Sequence, residues 1–274
     1  MGHKKSPPYS NLINDAARRF SGKVDDYIKY RPGYSPALID FLSVECRLTP
    51  DCIIADVGSG TGLLTGLFLK NGNVVYGIEP NGEMREAAEC LLKDYSLFRS
   101  VEASAESTTL HSSSVDFVLV GRALHWFDYE KALMEFSRIL KPRGWVVIVW
   151  LKRKTASAFP VKYDELLTTY AKGHKEKMKR QRVMEGLLTA AAFKRKALED
   201  EWIFDFENLK GLTLSFSVSP RVGDPNYAPM LEALHSLFER YQVDGKVTLN
   251  YETLIYYGRP GFGPSLLAAQ RSQD

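Results

Sequence analysis

Cysteine is scarce: Cys46, Cys52 and Cys90 are the three in 274 residues, and no pair has C-x-x-C spacing. That scarcity argues against a disulfide scaffold and a cysteine-held structural metal. The thiols read instead as small buried residues of a reduced, cytoplasmic protein. Long apolar runs are missing too. None reaches the roughly 18 residues of a membrane span, and Met1-Gly2-His3-Lys4-Lys5 leads into no apolar stretch. Neither a membrane span nor a secretory leader is therefore expected. Internal repeats and low-complexity tracts are also absent. Net charge is only +3, but residues 152–196 hold 13 Lys or Arg against 4 acids, an excess of +9 that leaves −6 elsewhere. Such asymmetry suits an anionic substrate, a membrane surface or a nucleic acid, or else the solvated face of a long helix. Between Lys172 and Arg182 no aromatic interrupts the basic residues, and stacking platforms for single-stranded nucleic acid need them.

What is present is ample core. At 45% hydrophobic and 25% charged, the chain supports one large domain or a domain with an inserted lobe. Polar residues 1–10 read as a tail and Leu12–Phe20 as a short amphipathic helix. A second helix begins near Pro36 with Leu38, Ile39 and Leu42 on one face. Apolar strands are expected at Ile53–Val57, Val74–Ile78, Phe98–Ala103, Val115–Val120 and Trp145–Trp150. Helices are expected between them at Thr61–Lys70, Asn81–Asp94 and Tyr129–Leu140. Continuous apolar strands with helical crossovers predict an α/β fold with a parallel sheet covered on both faces. Residues 160–192 have helical character and suit a lid. Ala197–Phe206 reads as a strand, and Glu207–Ser217 is left undetermined. A helix from Asp224-Pro225 to Tyr241 is followed by a final strand at Val247–Tyr257.

The most specific local signal is "IIADVGSGTGLL" at residues 53–64, an apolar strand ending in Asp56 and then Gly58, Gly60 and Gly62. Glycine in a turn after a parallel strand lets a ligand approach the backbone. A phosphate-binding P-loop would need Gly-Lys-Ser/Thr, but Leu63 follows Gly62. A dinucleotide fingerprint would read G-x-G-x-x-G, so G-x-G-x-G fits it only as a variant. A glycine turn with an adjacent acid suits a cationic ligand better than an anionic one. Glu79 ends "VVYGIEP", 21 residues after Gly58. A carboxylate there can accept hydrogen bonds from both hydroxyls of a ribose, which indicates an adenosine ligand without choosing among cofactors.

The glycine stretch resembles the first motif of the class I S-adenosylmethionine-dependent methyltransferases. The resemblance implies that Asp56 contacts the amino group of the cofactor. It places Gly58, Ser59, Gly60, Thr61 and Gly62 along the cofactor, Glu79 on its ribose, and Pro80, Asn81 and Met84 near ribose and adenine. In "EASAESTTLHSSSVDFVLV" the family pattern of Asp-Ala-Glu, Leu-Pro and Ser-Phe-Asp becomes Ser104-Ala105-Glu106, Thr108-Thr109 and Ser114-Val115-Asp116. Ser104, Ala105 and Glu106 are then the expected adenine-side contacts. "GRALHWFD" and "LKPRGWVVIVW" match the later motifs, adding Gly121 and Ala123 to the cofactor set. "YIKYRPGYSPALIDFL", "ALHWFD" and "GDPNYAPMLEALHSLFERYQVDGKVTLNYETLIYYGR" are similar to a small-molecule subgroup related to trans-aconitate methyltransferases.

The resemblance implies a Rossmann-like seven-stranded, mostly parallel sheet with an antiparallel last strand, helices on both faces and a helical lid. Taken with the composition along the chain, the expected division is a tail (1–10), a helical strap over the active site (11–45), a cofactor-binding core (46–152), a basic lid (153–196), which the resemblance anchors least, a C-terminal completion of the sheet (197–260) and a tail (261–274). The cofactor is S-adenosylmethionine, released as S-adenosylhomocysteine, with no metal, and the partner is a small-molecule acceptor. Tyr27 and Arg31 are expected at the cofactor, and Tyr30 and Tyr34 at the substrate. His125, after the fourth strand, is a candidate base or orienting donor, a pocket-lining residue, or a packed histidine. Trp126 either presses on the cofactor or packs beneath the next helix. Arg122 either pairs with a substrate carboxylate or forms a surface ion pair. RNA methylation and a catalytically inactive cofactor-binding protein are the rival readings.

Overall fold

The computed structural model describes residues 29–31, 33–176, 178–179, 186, 188 and 193–259. The expected tails 1–10 and 261–274, the helix expected over Leu12–Phe20, and Tyr27 lie outside these residues, as does part of the expected lid.

Seven strands form one sheet: β1 (Ile53–Val57), β2 (Val74–Ile78), β3 (Phe98–Val101), β4 (Val115–Gly121), β5 (Leu140–Arg153), β6 (Lys194–Phe204) and β7 (Val247–Gly258). Their spatial order is β3-β2-β1-β4-β5-β7-β6. β1 pairs in parallel with β2 and β4, β2 with β3, and β4 with β5, while the last strands run antiparallel. This is the Rossmann-like architecture expected from the sequence. Strand order reverses on either side of β1, and open α/β sheets bind ligands at the carboxyl ends of strands flanking such a reversal.

Local chemistry explains the helices. α1 (Ala37–Cys46) buries Leu38, Leu42 and Cys46 and ends at Arg47 in the left-handed conformation. α2 (Leu63–Lys70) starts two residues later than expected, because Gly62 at φ 82° lies outside helical space. α3 (Gly82–Leu91) is capped by Asn81, whose side chain accepts the Met84 N–H. α4 (Tyr129–Ile139) is capped likewise by Asp128 through the Lys131 N–H. β5 begins at Leu140, directly after that helix, so it is much longer than the expected Trp145–Trp150. β3 stops at Val101 rather than Ala103.

Chain contacts separate two compact units. The first contains Pro36–Val149 and, from Tyr257, the end of β7. Its core is the apolar interior of the parallel strands, including the fully buried Ile54, Val118, Leu119, Val146 and Val147. The second contains Trp150–Tyr256 with the described part of Gly22–Ser35. In it α5 (Ala158–Tyr170), α6 (Phe206–Leu214) and α7 (Tyr227–Tyr241) bury Tyr163, Leu167, Leu209, Leu212, Met230 and Leu234 in one cluster. α6 settles the undetermined Glu207–Ser217 stretch as a helix as far as Leu214, with a turn beyond it. Asp205 is its N-cap, accepting the Asn208 N–H at 2.8 Å, a signal readable in "DFEN".

Candidate cofactor site

In the first unit the glycine loop joins β1 to α2. The N–H groups of Gly58 and Ser59 both donate to the Ile78 carbonyl at the end of β2, at 2.8 and 3.1 Å, which folds the loop across the two strand ends. Gly58 is required for packing: at φ 69°, a side chain there would start 2.6 Å from Ala123 Cβ and close to the Phe127 ring. The loop therefore rests directly on the segment after β4. Gly60 differs. It is also left-handed, but nothing lies within 4 Å of where its side chain would begin, so that face of the backbone is open.

Asp56 and Glu79 flank this loop, both buried. Asp56 Oδ2 accepts the Thr65 hydroxyl at 2.6 Å, while Oδ1 makes no hydrogen bond. Burial pushes the carboxyl up to about 7; the Thr65 hydrogen bonds hold it down in part, and the Glu79 charge adds to the rise. Glu79 Oε2 accepts the Gly60 N–H at 2.9 Å and Oε1 the Asn81 N–H at 2.9 Å. Its carboxyl is also raised by burial, against the pull of those two donors and of Arg85. Each Glu79 oxygen keeps a second lone pair, so a diol remains within the chemistry of this carboxylate. Arg85 and Thr65 are site-supporting residues that the sequence reading missed. Arg85 Nη1 donates to the Glu79 carbonyl at 3.2 Å and Nη2 to Glu102 at 2.9 Å. Both were findable, since each lies on the first turns of the helix following its acid.

Met84 and Ala105 are buried, as adenine-lining positions would be. Ser104 bridges to Ser107 in a small antiparallel turn, and Glu106 accepts the Asp128 N–H at 2.8 Å, tying that turn to the start of α4. Thr108, which stands in place of the family's apolar pair, is fully buried. Its N–H and hydroxyl both donate to Glu135 Oε1, at 2.8 and 2.6 Å. Arg138 grips the same carboxylate at 2.7 Å, and this contact, with the Thr108 donors, lowers the Glu135 carboxyl to about 2. A depressed acid contributes stability that is complete above its unfolded value near 4.5 and is lost as pH falls through 2. Glu135→Ala strands two buried donors and an arginine. We expect it to cost about 3 kcal/mol at pH 7 and to remove part of the acid dependence of unfolding below pH 4.5, measurable by urea titration across pH.

After β4, Gly121 leads to Arg122 at φ 58°, whose N–H donates to the Val149 carbonyl at 3.0 Å. Leu124–Trp126 form a short 3-10 turn, with the rings of His125 and Trp126 4.6 Å apart. Gly121, Ala123, His125 and Trp126 thus share one segment, and Ala123 touches the Gly58 position. Pro80 follows Glu79 directly, before the Asn81 cap. Tyr30, Arg31 and Tyr34 belong to the second unit. There the Tyr30 ring packs on the bare Cα face of Gly211, and Arg31 donates to Ser215 Oγ at 3.0 Å while its guanidinium lies 4.7 Å from the Phe216 ring.

A nucleoside bearing an amino-acid tail fits the first unit's residues. Asp56 Oδ1 and the Thr61 hydroxyl are buried and unpaired, Gly60 offers an open backbone face, and Glu79 can accept from a diol. Among the described residues no helix is long and apolar enough to cross a membrane.

Residues 55–148 match the family described as a methyltransferase domain. An uncharacterised methyltransferase of Mycobacterium tuberculosis is 33% identical over 139 residues, 51% of this chain and 54% of that protein. An uncharacterised methyltransferase of Schizosaccharomyces pombe is 30% identical over 151 residues, 55% of this chain and 59% of that protein. The match thus spans little more than half the length of these curated relatives. A solved type II methyltransferase from Anaeromyxobacter dehalogenans superposes with a TM-score of 0.61 at 21% identity, covering 84% of this chain and 98% of that one, a likeness of fold alone. Asp56, the glycine loop, Glu79 and the segment after β4 all fall inside the span that matches the methyltransferase domain, and this match supports a class I, S-adenosylmethionine-dependent methyltransferase.

Proposed function

We propose that the protein transfers the methyl group of S-adenosylmethionine to an oxygen, nitrogen or carbon nucleophile of a small organic molecule by in-line displacement. The observation that carries this reading is the pairing of two buried carboxylates, Asp56 and Glu79, at adjacent strand ends on either side of one glycine loop. When bound, the cofactor supplies an electrophilic methyl and its own leaving group, leaving alignment and water exclusion to the protein. Asp56 Oδ1 accepts the ammonium of the methionyl tail, and the Thr61 hydroxyl donates beside it. Glu79 accepts from the ribose hydroxyls, with Asn81 and Gly60 N–H groups fixing its rotamer. Pro80, Met84, Ser104 and Ala105 border the adenine, while Gly58, Ser59, Gly62, Gly121 and Ala123 give the loop its shape, and Glu106 holds the adenine-side turn to α4. Similarity of the N-terminal, central and C-terminal segments to trans-aconitate methyltransferases supports a small-molecule acceptor over RNA.

His125 is assigned as the base or orienting donor toward the acceptor. We expect His125→Ala to lower turnover at least tenfold while changing the cofactor dissociation constant less than threefold, measured by S-adenosylhomocysteine release and calorimetry. Equal turnover on the true acceptor would remove the role. The cofactor itself is tested by titrating S-adenosylmethionine and NADH separately into the full chain. Saturable heat with the sulfonium nucleoside alone supports the reading, and selective NADH binding overturns it. S-adenosylhomocysteine formed with any acceptor dismisses the inert-scaffold alternative.

A further inference from the structure

β6 stands last in the strand order, beside β7, and among the described residues no strand pairs with its outer edge. At eleven residues, Lys194–Phe204, it is long for an edge strand. Such an edge carries a row of backbone N–H and C=O groups able to pair with another strand, and proteins blunt most edges with short strands, proline or repelling charge. β6 contains no proline. Its inner side is held in place: Asp200 accepts the Thr253 hydroxyl at 2.6 Å, and the Trp202 ring packs on Tyr251 of β7 with centroids 4.2 Å apart. From Glu199 to Phe204 exposed and more buried residues alternate, so the two faces of the strand are well defined.

The charges on β6 are ordered along it. Lys194, Arg195 and Lys196 come first, then Ala197 and Leu198, then Glu199, Asp200 and Glu201. A second β6 laid alongside in parallel would set cation against cation and acid against acid. Laid antiparallel, it sets each basic half against an acidic half. Two copies related by a two-fold axis keep each side chain on its own face of the sheet, so residues oppose one another only two, four or six apart in number. Centred on Leu198, Arg195 opposes the partner's Glu201 and Lys196 opposes the partner's Asp200, each pair occurring twice by symmetry. Centred on Ala197, Glu201 would oppose Phe193, and Arg195 would oppose Glu199, which is already paired with Lys154. The first register is the better matched. Arg195, Lys196 and Glu201 are exposed and form no ion pair among the described residues.

We propose that the outer edge of β6 is the docking surface for a second copy of this chain, the two β6 strands pairing antiparallel about Leu198 so that both sheets join into one. The occupant follows from the pattern: a strand whose halves carry opposite charge is complementary to its own reversed copy. Opposed side chains in such a pair start roughly 5 Å apart, within reach of an ion pair. Because these charges stay near solvent, salt weakens the association. The inference is independent of the methyltransferase reading, since no residue of the cofactor site takes part in it.

The test is sedimentation velocity of the full chain from about 1 to about 100 μM, at about 50 and about 500 mM salt. A monomer–dimer equilibrium is expected at the lower salt, with a dissociation constant that rises roughly fivefold or more at the higher. Arg195→Glu sets acid against the partner's Glu201, and Glu201→Arg sets cation against the partner's Arg195. Each is expected to weaken the dimer at least tenfold. Both side chains are exposed, so neither reversal removes a packed group. An equimolar mixture of the two variants restores one attractive pairing at each end and should recover association, as should the double variant carrying both changes in one chain. A monomer throughout the wild-type range, a dimer indifferent to both reversals, or reversals that the mixture and the double variant fail to rescue each overturns the proposal.

Discussion

Asp56→Asn is expected to weaken S-adenosylmethionine binding at pH 7.5 by roughly 10- to 100-fold while making the cofactor-free protein more stable. The two effects share one cause. The buried carboxyl sits at about 7 in the folded chain against 3.8 for an ordinary aspartate, mainly because burial disfavours its charge. An acid raised on folding holds its proton in the native state between those values, where the unfolded chain has lost it. Stability therefore falls as pH rises from about 4 to 7 and stays low above. The full penalty is on the order of 4 kcal/mol at alkaline pH, and an uncharged asparagine escapes much of it. The binding loss reflects a charge-assisted hydrogen bond of about 1.5–3 kcal/mol that the amide cannot replace. On the proposed function, the cofactor's ammonium must displace a proton from Asp56 below pH 7. Wild-type affinity is thus expected to be roughly 25-fold weaker at pH 5.5 than at 7.5, with proton release detectable by calorimetry in buffers of different ionisation heat. In Asp56→Asn this dependence vanishes. A pH-independent wild-type affinity would place the ammonium elsewhere.

Glu79→Ala carries the second large effect. It removes the clasp on the Gly60 and Asn81 N–H groups and, on the proposed function, two charge-assisted hydrogen bonds to the ribose worth about 1.5 kcal/mol each. A loss of ~3 kcal/mol, or ~150-fold in the dissociation constant, is expected by calorimetry. The fold should survive, because the Gly58 and Ser59 N–H bonds to Ile78 do not depend on this side chain. Glu79→Gln is expected to fall between, keeping the shape but losing the charge. Equal affinity in all three proteins would separate Glu79 from the ligand.

The strongest parts of the site were legible because they are short-range. Asp56, Gly58, Gly60 and Gly62 are set by spacing along a single turn, and Glu79 by its position at the end of an apolar run. The strand and helix alternation followed from the same local patterns. Contacts that cross the chain were not legible. Thr108 was read as a departure from a motif, yet it is anchored by Glu135, 27 residues away, through a carboxylate shared with Arg138. Thr65 was an unremarked helix residue until the fold set its hydroxyl against Asp56. Arg153 was one of many basic residues, and only its Asp164 ion pair and its place over the Tyr163 ring distinguish it from the exposed Lys152. Conversely, Glu207–Ser217 could have been read: the Asp205 cap announces the helix, but the weak apolar periodicity after it hid the signal.

The most direct measurement is a crystal structure of the full chain with S-adenosylhomocysteine. The nucleoside is expected across the Gly58–Gly62 turn, with both sugar hydroxyls within hydrogen-bonding distance of Glu79 and the amino group at Asp56 Oδ1. A ligand bound elsewhere, or a Glu79 carboxylate turned away from the sugar, would contradict the account.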